Sequence, residues 1–444
     1  MDGKARYRGR DVSIRLTADR FEYGNKFLLL ADCVGCRALR EASSPRCWLE
    51  IFAYPRATGC CAGGERAAKH VTIETTTATQ WDATIKERLR GGNSGSRPTN
   101  NVLCLVNPFG GPGLAVGIFH GVVEPMLRQA GATFTLVVTE RAGHARDMLR
   151  DAADLDAYSC VAIVGGDGLL FECVQGIGAR PDADVVFTSL PFGVICGGSG
   201  NGLCKSILHA SGEAYSPLAA AFVVAKGRPA ALDLGRVAAT GGRRYLSFLS
   251  MAWAITADID IESERWRFLG STRFTLGAVV RLVWLRAYPG RLSFLPAPPE
   301  DAAATAVAAA AADAAASMPS LEVPVPSTWT TVEDRFVMVW ACQTSHASHN
   351  LHSAPGLPLG SGVFEVLVIR QHVPWLDVVA MFLALEDGGH VRRAGLEVHR
   401  CLAYRIEPLT EAGIYSLDGE GIEYGPVQAV VKPGMARVLT LHGP

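Results

Sequence analysis

Hydrophobic and polar residues along the first ninety positions follow the spacing of strands. The run at 12–16 alternates apolar with polar residues, and a second strand-like run lies at 47–52. A helical spacing follows near 81–89, and a stretch rich in glycine and serine occupies 91–98. The pattern predicts a small β-rich module over residues 1–90, followed by a linker.

From residue 101 the pattern changes to short, continuous apolar runs separated by helical spacings. The apolar runs lie at 102–106, 134–138 and 161–164, and the helical spacings lie near 114–130 and 144–153. Continuous apolar strands between helices are typical of a parallel sheet that is covered on both faces. Residues 100–230 are therefore predicted to form an α/β domain.

Beyond residue 230 strand patterns dominate, for example at 335–340 and 363–368, with helical spacings near 271–286 and 374–386. These patterns predict a largely antiparallel, β-rich domain over 231–444. A low-complexity insertion of alanine and proline interrupts it at about 298–330. Because this tract has almost no larger apolar residue to bury, we expect a mobile insertion rather than a core element.

Composition and charge narrow the function classes. The 444 residues are 49% hydrophobic and 19% charged, with a net charge of −1, so no global positive field favours nucleic acid. The N-terminus lacks the apolar core of a signal peptide, and no run of about 18 residues is apolar and uncharged. We expect a cytoplasmic protein whose contact with membranes is peripheral.

The twelve cysteines are scattered, as expected for reduced and mostly buried thiols rather than for a disulfide scaffold. An alternative is a zinc site formed by Cys33, Cys36, Cys60 and Cys61. The second pair is adjacent and no histidine follows at finger spacing, so ordinary core cysteines are the preferred interpretation.

Three glycine loops each follow an apolar strand and precede a helix: residues 107–113, 165–168 and 197–202. Glycines in such loops bring backbone N–H groups close to a phosphate at a helix N-terminus. The first loop is neither a Walker loop nor the dinucleotide fingerprint, and an ordinary turn remains its alternative. Asp167 places a carboxylate where it can deprotonate a hydroxyl or organise Mg²⁺, although a helix cap would also explain it.

The motifs NPFGG, GGDGLLFE and GGSGN, in this order, resemble the catalytic domain shared by diacylglycerol, ceramide and sphingosine kinases. The resemblance covers roughly 100–296 and resumes at about 362–443. It implies a nucleotide-binding α/β domain followed by a β-sandwich-like lipid-binding domain, with the active site in the cleft between them. The module before residue 90 is similar to the region that precedes the catalytic domain in ceramide kinases and plant-type sphingosine kinases, with a PH-like fold as one option.

The resemblance implies ATP and Mg²⁺ as cofactors and Asp167 as the catalytic base, and no metal-binding residue is assigned. The positions that it assigns to ATP are Asn107, Pro108, Phe109, Thr139, Glu140, Arg141, His144, Glu172, Gly198, Ser199, Gly200, Arg267, Arg273, Asp418, Gly419 and Glu420. Many relatives have a basic residue where this chain has Pro112, which leaves part of the phosphate clamp to backbone amides.

The stretch 250–277 is the most specific part of the chain and is similar to sphingosine kinases almost throughout. The resemblance assigns Gly165, Gly166, Gly168, Ser250 and Asp260 to the polar head of a sphingoid base, and Ile255, Phe274, Phe382 and Leu385 to its acyl chain. A carboxylate at 260 suits the ammonium of a sphingoid base, whereas ceramide kinases have an apolar residue there. Solvated helix faces and ordinary core packing are the alternatives for these charged and apolar residues.

The function that follows is ATP-dependent phosphorylation of the primary hydroxyl of a sphingoid long-chain base. A ceramide or diacylglycerol kinase, a catalytically silent lipid-binding protein of the same fold and, more weakly, a soluble metabolic kinase are the alternatives. The intact Gly165–Gly168 loop argues against a silent protein, and the apolar helix near 374–386 argues against a soluble substrate. The sequence identifies no protein partner.

Overall fold

The computed structural model describes residues 1–41, 46–57, 64–91, 100–263, 265 and 272–441. The predicted linker at 91–98 lies almost wholly outside these residues, as do Cys60 and Cys61. Arg267 also lies outside them, and within helix 272–283 the side chains of Arg273 and Phe274 are not described.

The N-terminal module is one antiparallel sheet closed by a helix. Its elements are β1 (Asp2–Tyr7), β2 (Arg10–Leu16), β3 (Arg20–Tyr23), β4 (Lys26–Leu29), β5 (Cys33–Arg40), β6 (Cys47–Ala53), β7 (Lys69–Glu74) and α1 (Ala78–Gly91). The strand order is β4-β3-β2-β1-β7-β6-β5. Trp81 of α1 is buried against Phe21 at the centre of the module, with ring centroids 5.7 Å apart.

Buried ion pairs attach this module to the next domain. The buried Glu213 carboxylate of the α/β domain accepts from Arg66 at 2.7 Å and from Arg56 at 2.6 Å. The Arg66 guanidinium lies 3.6 Å from the centroid of the Phe222 ring and also donates to Asp32 of its own module at 2.9 Å. Removing one partner of such a buried pair typically costs about 3–5 kcal/mol, because the other charge remains desolvated. The module is therefore packed against the α/β domain.

Four parallel strands form the α/β domain, in the order β9-β8-β10-β11. The elements are β8 (Asn101–Val106), α2 (Ala115–Ile118), α3 (Glu124–Gln129), β9 (Thr133–Val138), α4 (His144–Asp151), β10 (Cys160–Gly165), α5 (Asp167–Gly178), α6 (Ala183–Ser189), β11 (Phe192–Cys196), α7 (Gly202–Ala210) and α8 (Pro217–Lys226). A π-helical turn at Phe119–Val123 joins α2 to α3. Because the strands are parallel, the loops that follow them meet at one edge of the sheet.

The remaining strands are mainly antiparallel and continue the same sheet. They are β12 (Arg228–Ala239), β13 (Arg244–Ser247), β14 (Ser250–Ala254), β15 (Tyr288–Pro296), β16 (Thr330–Cys342), β17 (Phe364–Arg370), β18 (Leu396–Pro408), β19 (Tyr415–Leu417), β20 (Glu420–Ile422) and β21 (Val427–Thr440). The helices among them are α9 (Ile255–Glu262), α10 (Thr272–Val283), α11 (Ala304–Ala316) and α12 (Trp375–Leu383). Strand β21 pairs with β12 and β18 and reaches β11, which joins the two domains.

The expectation of a mobile alanine-rich insertion is wrong for most of the tract. Helix α11 buries a stripe at i, i+4 and i+7, formed by Val307, Ala311 and Ala314. The segment after the helix is also fixed, because the buried Arg405 guanidinium donates to the carbonyls of Ser320 and Val323. Alanine is small enough to let a helix approach the sheet closely, so the tract packs without large side chains.

The described cysteines are free, and all except Cys47 are buried. The Cys36 thiol donates to Asp82 Oδ1 at 3.2 Å, and burial raises the pKa of Cys33 to about 12. Within the described ranges, no group of three His, Cys, Asp or Glu side chains is arranged to hold a metal ion.

Candidate active site

The three glycine loops touch one another through their backbones. A Cβ added to Gly198 would lie 2.4 Å from Gly166 Cα, and one added to Gly111 would lie 2.8 Å from the Gly198 carbonyl carbon. The Gly197 N–H donates to the Gly165 carbonyl at 2.9 Å. Contacts this short exclude any side chain at these positions, so the glycines are required by the meeting of the loops.

The first loop is shaped by its own asparagine. Asn107 Oδ1 accepts a hydrogen bond of 2.9 Å from the Phe109 N–H, and the Asn107 N–H donates to the Val164 carbonyl at 3.2 Å. Pro108 is half-buried, whereas 71% of Phe109 is exposed. The loop is thus held in shape by its own hydrogen bonds and presents an exposed aromatic ring at this edge of the sheet.

Asp167 is the first residue of α5, but its carboxylate caps the N-terminus of α7, the helix that follows the third glycine loop. Its carboxylate accepts hydrogen bonds from the N–H groups of Gly202 at 2.7 Å and Leu203 at 3.3 Å, at the start of α7. Burial, with a smaller contribution from the negative charge of Asp260, raises the pKa of Asp167 to about 6. The cap fixes the orientation of the carboxylate and leaves it in contact with the third loop, where a Cβ on Gly200 would lie 3.1 Å away.

Glu172 contacts a different loop from Asp167, because side chains five positions apart on a helix point in different directions. Its two carboxylate oxygens accept hydrogen bonds from the N–H groups of Gly143 at 2.8 Å and Ala145 at 3.2 Å, at the start of α4. The segment 139–144 follows β9 and therefore forms a fourth loop at the same edge of the sheet. In it Thr139 is buried, His144 Nδ1 accepts from the Glu140 N–H at 3.1 Å, and Arg141 is exposed and paired with Asp147.

The hairpin of β19 and β20 approaches the glycine loops from the second domain. At its turn, Asp418 and Gly419 have positive φ angles of 54° and 91°. The buried Asp418 carboxylate accepts four hydrogen bonds of 2.8–3.0 Å, from Ser247 Oγ and from the N–H groups of Phe248, Leu249 and Ser250. Burial raises the pKa of Asp418 to about 6. Its side chain therefore organises the start of β14, while the exposed Glu420 lies close to Gly168 at the N-terminus of α5.

Ser250 and Asp260 lie on the second-domain side of the cleft. Ser250 begins β14 and is buried; Asp260 is half-buried on α9 and accepts a hydrogen bond from Ser416 Oγ. Asp258, two residues earlier, points elsewhere because the segment is helical. It accepts from Tyr288 Oη at 2.8 Å and lies 3.8 Å from Arg281 Nε.

The residues assigned to the acyl chain belong to one apolar core. Ile255 and Leu385 are buried in this core, and the half-buried Phe382 packs against it. Their role in binding a lipid chain stays a prediction, since core packing accounts for the same burial.

Sequence reasoning missed two residues that shape the cleft. Asn201, at φ 58°, accepts from the Gly198 N–H at 3.1 Å and donates to the Gly198 carbonyl at 2.7 Å, so it closes the third loop on itself. An asparagine after glycines is a detectable signal, because it tolerates the left-handed conformation. Ser416, the partner of Asp260, has no comparable signal, since the two residues are 156 positions apart.

An apolar surface continues from the acceptor side. Helices α10 and α12, together with Trp284 directly after α10, expose seven large apolar residues by between 41% and 80%: Leu276, Val279, Val283, Trp284, Trp375, Leu376 and Leu383. The Trp375 Nε1–H donates to the Leu282 carbonyl at 2.6 Å and links the two helices. No helix within the described part of the chain has the length and apolar character needed to cross a bilayer.

Two known domain families match separate parts of the chain. Residues 101–237 match the diacylglycerol kinase catalytic domain, and residues 255–440 match the YegS C-terminal NAD kinase beta sandwich-like domain. A solved structure from Bacillus anthracis, of a protein proposed to be a diacylglycerol kinase, shares the fold with a TM-score of 0.55. It is 16% identical, and the alignment covers 78% of this chain and 97% of that one.

Whole-chain relatives are more similar. Human sphingosine kinase 1 is 35% identical over 77% of this chain and 92% of its own length. Sphingosine kinase 1 of Arabidopsis thaliana is 32% identical over 73% of this chain and 69% of its own. Sphingoid long chain base kinase 4 of Schizosaccharomyces pombe is 26% identical over 78% and 76%, respectively.

Proposed function

The chain belongs to the sphingosine kinase family, and we propose that Asp167 is the general base of its reaction. The protein is a lipid kinase that uses ATP to phosphorylate the primary hydroxyl of a sphingoid long-chain base. Asp167 would accept the proton of that hydroxyl as its oxygen attacks the γ-phosphorus of ATP.

The position and environment of Asp167 support this role. It lies at the carboxyl end of a parallel strand, where the ligands of such sheets bind, and two N–H groups hold its carboxylate. A pKa of about 6 keeps the group ionised at neutral pH and near the value that suits a general base.

We assign ATP to the edge where the four loops meet. The loops that carry Asn107–Phe109 and Gly198–Gly200 meet near the N-terminus of α5, and a helix N-terminus favours a polyphosphate. Glu172 would hold the 139–144 loop in place beside them. Arg267 and Arg273 remain the proposed guanidinium partners of the phosphates, in a segment whose side chains are not described.

Mg²⁺ would enter with the phosphates of ATP. It commonly takes one or two protein carboxylates and otherwise phosphate oxygens and water, so it does not need a group of three protein ligands. Glu420 fits this requirement, because its carboxylate is exposed beside Gly168 at the N-terminus of α5. The ion would neutralise charge that develops on the transferring phosphoryl group.

Asp260 is our candidate for the partner of the substrate ammonium. Asp260 Oδ2 would lie 3.9 Å from a Cβ at Gly419, in the turn that leads to Glu420 beside the N-terminus of α5, so an ammonium at Asp260 would lie on the side of the cleft that faces the base. The amide nitrogen of ceramide carries no charge, and diacylglycerol has no nitrogen, so neither would gain from this carboxylate. Ser250, at the start of β14, would contribute to the same polar pocket.

Peripheral membrane contact would bring the lipid to this pocket. The exposed apolar residues on α10 and α12 form a surface suited to the interface of a bilayer, and α12 also carries Phe382 beside the acceptor core. In a liposome sedimentation assay, Val279→Asp should reduce bound protein severalfold, whereas Val185→Asp, at a more exposed position on α6, should not. Equal binding of both variants would exclude this surface.

Substitution of Asp167 by asparagine tests the base. Asp167→Asn preserves shape but lacks a basic oxygen, and loss of a general base typically costs about 10²–10⁴-fold in rate. The measurement is kcat with radiolabelled ATP and sphingosine, with circular dichroism to confirm folding. Near-normal turnover by a folded variant would refute the role.

A further inference from the structure

The β19–β20 hairpin contacts three elements of the cleft through alternate residues. Ser416 contacts α9, Asp418 contacts the backbone at the start of β14, and Glu420 lies against the start of α5. Ser416 lies on β19 and Asp418 lies in the turn, whereas Glu420 lies on β20 opposite Leu417 and therefore leaves the hairpin on the other face from Ser416. The hairpin thus meets both the acceptor side and the nucleotide side, through residues on different faces.

Two of the contacts fix the hairpin itself. Strand β19 pairs with β14, with Ser416 opposite Ala252, and the Asp418 N–H returns a hydrogen bond of 2.8 Å to the Ser250 carbonyl. Together with the four bonds that Asp418 accepts, this locks the turn to β14. On the other side, Glu420 Oε1 would be 2.8 Å from a Cβ at Gly168, one residue after Asp167.

Ser416 therefore has a fixed position from which it acts on Asp260. The serine is 3% exposed, and its hydroxyl donates to Asp260 Oδ2. Asp260 lies on a short helix and is half-buried, and this bond from a paired strand favours one rotamer of its carboxylate. A carboxylate held in one rotamer loses less entropy when it binds a cation.

We infer that Ser416 is a positioning residue that orients Asp260 toward the ammonium of the sphingoid base. This inference rests on the proposed role of Asp260. The serine touches no reacting atom, and its effect is confined to affinity for the acceptor.

Ser416→Ala tests the inference through a split between kinetic constants. A hydrogen bond to a charged group is worth enough to raise KM for sphingosine about tenfold when it is lost, with kcat and KM for ATP unchanged. Ser416→Thr keeps the hydroxyl and should restore most of the affinity. Ser293→Ala is the matched control, because it removes a buried hydroxyl bonded to Thr331 in the same domain but outside the cleft.

The same substitution in an Asp260→Asn variant separates this inference from the proposed function on which it rests. If Ser416 acts through Asp260, Ser416→Ala should have no further effect on KM for sphingosine in an Asp260→Asn variant. An equal rise in both backgrounds, or no rise in the wild type, would overturn the inference. If Asp260→Asn alone leaves KM and kcat intact, the proposed role of Asp260 fails instead.

The thermal stability of each variant is measured together with its kinetics. Should Ser416→Ala unfold at a clearly lower temperature than Ser293→Ala, Ser416→Cys replaces it, because a thiol has similar volume and is a weak donor. The cysteine variant is expected to raise KM for sphingosine severalfold, and an unchanged KM would contradict the inference.

Discussion

The two sides of the cleft are held in place by different means. On the nucleotide side, loops after adjacent parallel strands meet through glycine backbones, as the approach of Gly166 to Gly198 shows. On the acceptor side, the Asp260 carboxylate on α9 accepts a hydrogen bond from Ser416 on β19, 156 residues later in the chain. The first arrangement can be recognised from short sequence motifs. The second pairs residues that come together only when the chain folds.

This difference teaches where each side is vulnerable. Backbone contacts tolerate no added atoms, so the nucleotide side should fail when a side chain is introduced. A side-chain contact depends on one polar group, so binding of the acceptor should weaken when that group is lost. Each prediction below breaks or sharpens this contrast.

The largest effect is expected at the contact between loops. Gly198→Ala would place a Cβ 2.4 Å from Gly166 Cα, so one loop must move, and a displacement of about 1 Å at reacting groups costs about 10²-fold. We expect kcat/KM for ATP to fall by about 10²-fold or more. Gly117→Ala, on α2 with no atom near the new methyl group, is the control and should retain activity.

A smaller effect, on stability, is expected in the acceptor domain. Ala311 is fully buried on α11, so Ala311→Gln would bury an unpaired amide and lower the free energy of unfolding by about 1–3 kcal/mol. Ala309→Gln, on the exposed face of the same helix, should be neutral in urea denaturation. Equal stability of both variants would contradict the packing of α11 and would favour the mobile insertion that the sequence predicts.

The pH dependence links the two sides. Asp167 must be ionised to act as a base, so with a pKa of about 6, kcat/KM should fall as the pH falls through 6, about tenfold per unit below it. Because the Asp260 charge contributes to the raised pKa, Asp260→Asn should shift this acidic limb to lower pH. An unchanged limb would show that the two carboxylates are not coupled.

The sequence predicted most of the nucleotide side because its signals are local. The strands and the three glycine loops follow from residues within a few positions of one another. The docking of α11 was missed, since a run of alanine has the same composition whether or not it meets a sheet. The cap that Asp167 forms on α7 and the role of Asp418 in organising β14 depend on which loops meet in three dimensions.

The most direct test of the account is the steady-state kinetics of Asp260→Asn, with sphingosine varied in one series and ATP in the other. Removing one partner of a desolvated charge pair typically costs about 3–5 kcal/mol. The account predicts that kcat/KM for sphingosine falls by orders of magnitude while KM for ATP changes less than about twofold. Intact sphingosine kinetics, or wild-type protein that phosphorylates ceramide as well as sphingosine, would contradict it.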